Sequence, residues 1–313
     1  MSSENGIFTE AMLEEAAIEI LQSLDYDYAF GPDISLGGDY EERKDYREVI
    51  LSQRVKDALF KINRDLPREA LDDAYRQLIT FNSPMLEENN HYFHQLMTEG
   101  IEVSFNEGGH IRTKRAYIID FENMSNNEFV VVNQFTIIEN EERRPDLIVF
   151  VNGLPLVVIE LKSASDENVG IDSAYNQIQT YKRDIPSLFN YNAFCILSDG
   201  INAKAGTITS NEEWFMNWRT ADGEDIAPLS QPQYEVLLNG MFQKERLLDI
   251  MHNFIIFQES KESEKDLDGK KIGDKKSIIK ILAAYHQYFA VKKAVEKTKE
   301  ATKEDGDRKI GVI

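Results

Sequence analysis

Asp146, Glu160 and Lys162 bracket an apolar stretch, "RPDLIVFVNGLPLVVIELKS" (144–163), with no charged residue between positions 146 and 160. Asn152-Gly153 joins its two apolar runs, which is a strong hairpin signal. With a loop of Asn152, Gly153 and Leu154, cross-strand partners sum to 306 and Asp146 lies opposite Glu160. Lys162 shares the Glu160 face by period two. A four-residue loop would shift the pairing by one and turn Asp146 to the other face unless a bulge corrects it.

Two carboxylates about 5 Å apart repel, and each is pushed toward protonation unless a cation neutralises it. Magnesium suits the task, since it prefers oxygen ligands and commonly takes one or two carboxylates while keeping several waters. Such an ion polarises a phosphoryl oxygen and acidifies a bound water, and Lys162 could position that water or stabilise charge on the phosphate. The chemistry is metal-assisted phosphodiester hydrolysis. A plain strand-end salt bridge of Asp146 or Glu160 with Lys162 or Arg144 would use the same residues. Further along, Gln177 and Tyr181 are four apart and so share one helix face, where an amide and a phenol could hold a phosphate or orient the carboxylates.

The elements that must carry these side chains are an α/β set. Apolar residues at 12, 13, 16, 17, 20, 21 and 24 predict an amphipathic first helix with Thr9 as a candidate cap. Residues 45–100 read as several helices, among them "VILSQRVKDALFKIN" and "REALDDAYRQLI". From about 101 the runs "AYIIDF", "EFVVVNQFTII", "DLIVFV" and "LPLVVIEL" predict strands. "GIDSAYNQIQTYKRDI" returns to helical period, and "AFCILSDG" reads as one more buried strand. Helix, strands, helix, strand gives a mixed sheet with one crossover helix. Residues 236–313 read as a helical second region after a domain of 1–235, with a charged linker or surface loop at 258–277 and a short apolar end, "KIGVI".

Composition narrows the class. At 313 residues, with 42% hydrophobic and 29% charged side chains, the chain is an ordinary globular protein. No apolar run is long enough to span a membrane, no signal peptide is evident, and the single Cys195 excludes a disulfide framework, so a cytoplasmic location is expected. Net charge is −20, and residues 1–50 hold 13 acidic against 3 basic side chains. Basic residues gather instead in "HIRTKR", "ERRP" and "YKRD", which could form a local rim around an acidic site. The five histidines form no ligand set.

Pro145-Asp146, Glu160-Leu161-Lys162 and Gln177-x-x-x-Tyr181 together resemble the PD-(D/E)xK nuclease motif with the Gln-x-x-x-Tyr element of its RecB-like branch. More narrowly, "RRPDLIVFVNGLPLVVIELKS", "LSDGINAKAGTITS", "EWFMNWRT", "FQKERLLDIMHNFIIF" and "AAYHQYFAV" resemble the R (restriction) subunit of type I restriction-modification enzymes. The resemblance implies a restriction-endonuclease-like α/β core, a mixed central sheet flanked by helices, with helical additions. It implies that Asp146, Glu160 and the Leu161 carbonyl bind Mg2+, that Lys162 is catalytic and that Gln177 and Tyr181 are accessory. Related nucleases often add a glutamate from the first helix; Glu14 is the candidate, with Glu10 or Glu15 as alternatives.

The resemblance further implies cleavage of unmodified double-stranded DNA, remote from the recognition sequence, beside methyltransferase and specificity subunits. The family's ATP-driven motor needs a Gly-x-x-x-x-Gly-Lys-Ser/Thr loop, which these residues lack, so the chain is expected to be a fragment or the product of a truncated gene. Gln287, in the family position that could touch adenine, is the lone candidate ATP contact. Two other functions fit the same residues: a stand-alone RecB-like DNA nuclease, and a non-catalytic DNA-docking or assembly module.

Overall fold

The computed structural model describes residues 9–163, 170–228, 230–265, 271–306 and 308–309, with 261–265 and 271–276 described by their backbone. The apolar end at 310–313 lies outside the described residues. Helix α1 (Glu10–Ser23) forms where apolar residues recur at helical spacing: Leu13, Ala17 and Leu21 make its buried stripe, and Thr9 Oγ1 accepts from the Met12 N–H at 3.3 Å. Strand β1 (Asp27–Phe30) follows, then α2 (Ser52–Ile62), α3 (Arg68–Leu78) and α4 (Leu86–Glu99). The hairpin β2 (Ile101–Glu107) and β3 (His110–Ala116) leads to β4 (Phe129–Asn133) and the two-residue strands β5 (Ile137–Ile138) and β6 (Glu142–Arg143). Next come β7 (Leu147–Val151), β8 (Leu154–Leu161), α5 (Ile171–Asp184), α6 (Pro186–Phe189), β9 (Phe194–Ser198) and β10 (Ala203–Gly206). The described chain closes with α7 (Gln233–Met241), α8 (Lys244–Asn253), β11 (Ile255–Lys265), β12 (Lys271–Leu282) and α9 (Tyr285–Ala301).

The central sheet runs β1-β4-β7-β8-β9-β10. Strands β1 and β4 are parallel, as are β8 and β9, and the other pairs are antiparallel. Helix α5 crosses over between β8 and β9 and packs on both, while α1 and α7 pack together against strands of the same sheet. This is the mixed sheet flanked by helices of a restriction-endonuclease-like core. One continuous apolar cluster extends from Leu13 through the sheet to Tyr288. The division expected at 235/236 falls inside α7, whose Leu237, Leu238 and Met241 join that cluster. Among the described residues no helix is long and apolar enough to cross a membrane.

Several expectations are corrected. The region 236–313, read as helical, holds strands β11 and β12 between α8 and α9. In "AYIIDF" the strand ends at Ala116: Asn63 takes both the N–H and the carbonyl of Tyr117, each at 2.7 Å, and Ile118 and Ile119 are buried from a loop. The charged stretch 258–277 is no linker, because β11 and β12 pair along it; positions 266–270 lie outside the described residues. Its anchor is Lys280, fully buried, whose Nζ donates to Asn90 Oδ1 at 2.9 Å and to the Asn192 carbonyl at 2.7 Å. Burial pulls this amine down to about 7, and a neutral amine has two N–H donors for the two acceptors. Thr207 and Thr209 hydroxyls donate to the Lys280 carbonyl, at 2.7 and 3.0 Å. The signal is invisible in sequence because it depends on docking rather than on an apolar alternation.

The hairpin β7–β8 sets the register for the charged residues. Its turn has two residues, Asn152 and Gly153, with φ of 53° and 79°, the left-handed pair of a type I′ turn. Val151 pairs with Leu154 and Phe150 with Pro155, but Val149 pairs with Val157, so Leu156 is bulged out. The loop is therefore one residue shorter than expected, and the bulge restores the pairing that puts Leu147 opposite Ile159. Pro155, which has no N–H to give, stands beside the bulge where a ladder tolerates it. The Leu156 carbonyl accepts instead from Ala193 N at 2.6 Å and Asn192 Nδ2 at 3.3 Å.

Asn152 fixes the turn from within. Its amide donates to the Ile118 carbonyl at 2.7 Å and Asn127 Oδ1 at 2.8 Å, and its Oδ1 accepts from Glu128 N at 2.8 Å. Replacing Asn152 by alanine leaves the Ile118 carbonyl and the Glu128 N–H unpaired and puts alanine at a left-handed position, with an expected loss of about 2–4 kcal/mol. Asn152→Gly should lose about 1–2 kcal/mol less, since glycine carries no left-handed strain. Urea unfolding of both variants checks the order; equal midpoints would show that the backbone conformation contributes nothing.

Candidate active site

Asp146 and Glu160 meet at the end of the β7–β8 hairpin, one just before β7 and the other one residue from the end of β8. Asp146 Oδ2 accepts the Leu161 N–H at 2.7 Å. Glu160 is 1% exposed, and its Oε1 accepts from Lys162 Nζ at 2.7 Å. Glu160 Oε2 is buried with no hydrogen-bond partner. Lys162 also lies 3.7 Å from Glu10 Oε1, and its backbone N–H is tied to the Ser198 carbonyl at 2.8 Å, the next strand over. An orphaned carboxylate oxygen beside a second carboxylate is the local demand a divalent cation would meet. Among the described residues no three His, Cys, Asp or Glu side chains form a metal-binding group, so such an ion would rest on two carboxylates, a carbonyl and waters.

From α5, Tyr181 is buried, and its hydroxyl donates to the Arg144 carbonyl at 3.3 Å. Burial, with Glu160 and Asp146 close by, pushes this phenol well above its ordinary range, and the half-buried Gln177 touches the same hydroxyl. From α1, Glu14 accepts Asn133 Nδ2 at 3.1 Å and Gln134 Nε2 at 2.6 and 3.1 Å. Glu15 is exposed on the same helix, and Glu10 faces Lys162. The structure thus brings Asp146, Glu160, Leu161, Lys162, Gln177, Tyr181 and Glu14 together. Gln287 stands apart from them: its Oε1 accepts the Ala284 N–H at 2.9 Å at the start of α9, and it lines a cleft of about 500 Å³ with Trp214, Gln258 and His286.

The basic side chains near the site are mostly engaged with acids or carbonyls. Arg143 and Arg183 both hold Asp184, at 2.6 and 2.7 Å, and Lys182 Nζ donates to the Ile208 carbonyl at 2.6 Å. The stretch "HIRTKR" lies instead on the β2–β3 hairpin, which packs on α3; there Lys114 pairs with Asp65 at 2.8 Å and Arg112 with Glu107 at 3.4 Å. The residues that sequence reasoning missed are Asn133 and Gln134. Their signal is a polar pair directly after "FVVV", which ends β4 where a single longer strand was expected.

The family model "Type I restriction enzyme R protein N terminus" matches residues 7–214 of this chain. The HindI type I restriction enzyme endonuclease subunit of Haemophilus influenzae is 36% identical over 98% of the chain and 28% of its own length. A putative type I restriction enzyme MjaIXP endonuclease subunit of Methanocaldococcus jannaschii is 32% identical over 96% of the chain and 29% of its length. The EcoprrI endonuclease subunit of Escherichia coli is 32% identical over 48% of each chain. The chain spans under a third of the first two relatives.

Electrostatics follow from burial. Desolvation raises Asp146 to about 6, with Glu14 and Glu10 adding to the shift and the Leu161 N–H and Lys162 opposing it. Desolvation and then the Asp146 charge raise Glu160 to about 8, against the pull of Lys162. Burial lowers the Lys162 ammonium, but Glu160 and Asp146 more than offset this and hold it above the usual lysine range. Both carboxyls are easier to protonate folded than unfolded. Without metal, the stability they contribute is complete below about pH 4 and is lost as pH rises through about 6 and then about 8. Glu160→Gln, which cannot ionise, should gain about 1–3 kcal/mol over the wild type between pH 5 and pH 9 in a chelator. Urea midpoints at the two pH values test this, and a parallel response of both proteins would contradict it.

Proposed function

Since the chain belongs to the family of type I restriction enzyme R protein N termini, we propose that its carboxylate cluster is the magnesium-dependent endonuclease centre of such an enzyme. The observation that carries this reading is the buried pair Asp146 and Glu160, with one orphaned oxygen and a lysine against the other. Asp146, Glu160 and the Leu161 carbonyl would hold the ion. When bound, it supplies charge to a phosphoryl oxygen and acidifies a water.

Lys162 serves two states. Without a cation it neutralises Glu160; once that carboxylate is shared, its ammonium is available to hold the attacking water or the developing charge on phosphate. Tyr181 borders Glu160 from α5, with its hydroxyl set by the Arg144 carbonyl and by Gln177, while the buried hairpin excludes bulk water behind the pair. The substrate is unmodified duplex DNA, cut without base readout by this region and remote from the recognition sequence. Recognition falls to specificity and methyltransferase subunits, and ATP-driven translocation is no part of the role of these residues, which contain no phosphate loop.

A non-catalytic assembly module is the second reading, favoured by the net charge of −20 and by the internal pairing of Arg143, Arg183 and Lys114. Asp146→Ala, Glu160→Ala and Lys162→Ala should each lower DNA cleavage by the assembled enzyme by on the order of 10²–10³-fold or more. Mn2+ titration calorimetry on the chain should find one site that disappears in the first two variants. Cleavage at undiminished rates would sink the nuclease assignment, and no Mn2+ binding by the wild type would favour the module. Cutting of linear DNA by the chain alone, without ATP or partners, would point to a stand-alone nuclease.

A further inference from the structure

Beside the proposed cation ligands, one short segment is built with more constraint than a strand end requires. Gln134 is a non-glycine residue at φ 54°, a left-handed conformation that strains a residue carrying a side chain. Several contacts enforce it. Its N–H donates to the Asp146 carbonyl at 3.3 Å, tying it to the residue that carries the first carboxylate. Gly31 N donates to the Asn133 carbonyl at 2.9 Å, and a Cβ on Gly31 would meet the Asn133 and Gln134 carbonyl oxygens at 2.6 Å, so this close approach needs glycine.

The next two residues are held as well. The fully buried Arg43 lies 3.7 Å over the Phe135 ring and donates to the Thr136 carbonyl at 2.9 Å. All of this aims two amides at one carboxylate: Gln134 Nε2 reaches both oxygens of Glu14, and Asn133 Nδ2 reaches Oε2. Asn133 is itself set by the Tyr28 hydroxyl, which donates to its Oδ1 at 3.0 Å. Primary amides donate without adding charge, so they fix Glu14 while leaving its negative charge in force toward Asp146. A lysine there would cancel that charge.

We propose that Asn133 and Gln134 are positioning residues that clamp Glu14 beside Asp146, so that Glu14 strengthens cation retention by the Asp146–Glu160 pair. The inference rests on the nuclease reading of that pair and adds to it the device that orients the third carboxylate. The left-handed turn is what lets Asn133 and Gln134, adjacent in sequence, point at the same acceptor, since an extended strand would send them to opposite faces.

Mn2+ titration calorimetry on the chain tests it. Gln134→Gly keeps the backbone conformation and relieves its strain, so the unfolding midpoint should hold or rise while Mn2+ affinity falls about tenfold. Glu14→Gln should weaken binding equally, and the double variant should bind no more weakly than either single one. Asn133→Ala should give a smaller loss in the same direction. Wild-type affinity in Gln134→Gly, losses that add in the double variant, or a binding loss that tracks a lower unfolding midpoint would each overturn the clamp. Asp146→Ala separates the two ideas: if it abolishes binding while Gln134→Gly does not alter it, the clamp alone fails. Unchanged binding in Asp146→Ala would remove the nuclease reading and the clamp together.

Discussion

Everything at the site depends on keeping two carboxyl groups close together where water cannot reach one of them. A buried ionised carboxylate is costly unless paired, and Glu160 is nearly inaccessible with one oxygen left unmatched. The fold offsets the cost in two places: Lys162 supplies charge two residues along the chain, and the Leu161 N–H holds Asp146. Helix α1 works against them, since Glu14 brings a further negative charge to Asp146. The sheet and helices are rigid because their core is continuous, and that rigidity keeps like charges from relaxing apart.

Much of this was legible from residue types. The amphipathic period of α1 and the Gln-x-x-x-Tyr spacing of α5 are local properties, so both helices could be read directly. Asp146, Glu160 and Lys162 announced themselves as charges at the ends of runs that are apolar on both faces. The register was reached by a different route than expected, through a shorter turn and the bulge at Leu156. No single-residue signal marks a bulge; Pro155 was the available hint, since a proline inside a buried strand calls for one.

What stayed hidden depends on contacts distant in sequence. The strand β1 has only four residues, and its pairing with β4 spans about a hundred positions. The β11–β12 pairing looked like solvated linker because its buried face carries a lysine beside Ile278 and Leu282, and the partners of that lysine come from α4 and the segment before β9. Asn133 and Gln134 were concealed inside "EFVVVNQFTII", where β-branched neighbours favour an extended reading and only tertiary contacts impose the left-handed turn.

The bulge at Leu156 also governs how this hairpin can tolerate change. Two turn residues and one bulged residue together make three that lie outside the ladder, and that total decides which face each carboxylate occupies. A three-residue turn without a bulge gives the same parity, whereas a lone insertion or deletion inverts one strand. Length variation between the two acids is therefore quantised: compensated changes keep the two carboxyl groups on one face, and uncompensated ones part them even when both acids are retained.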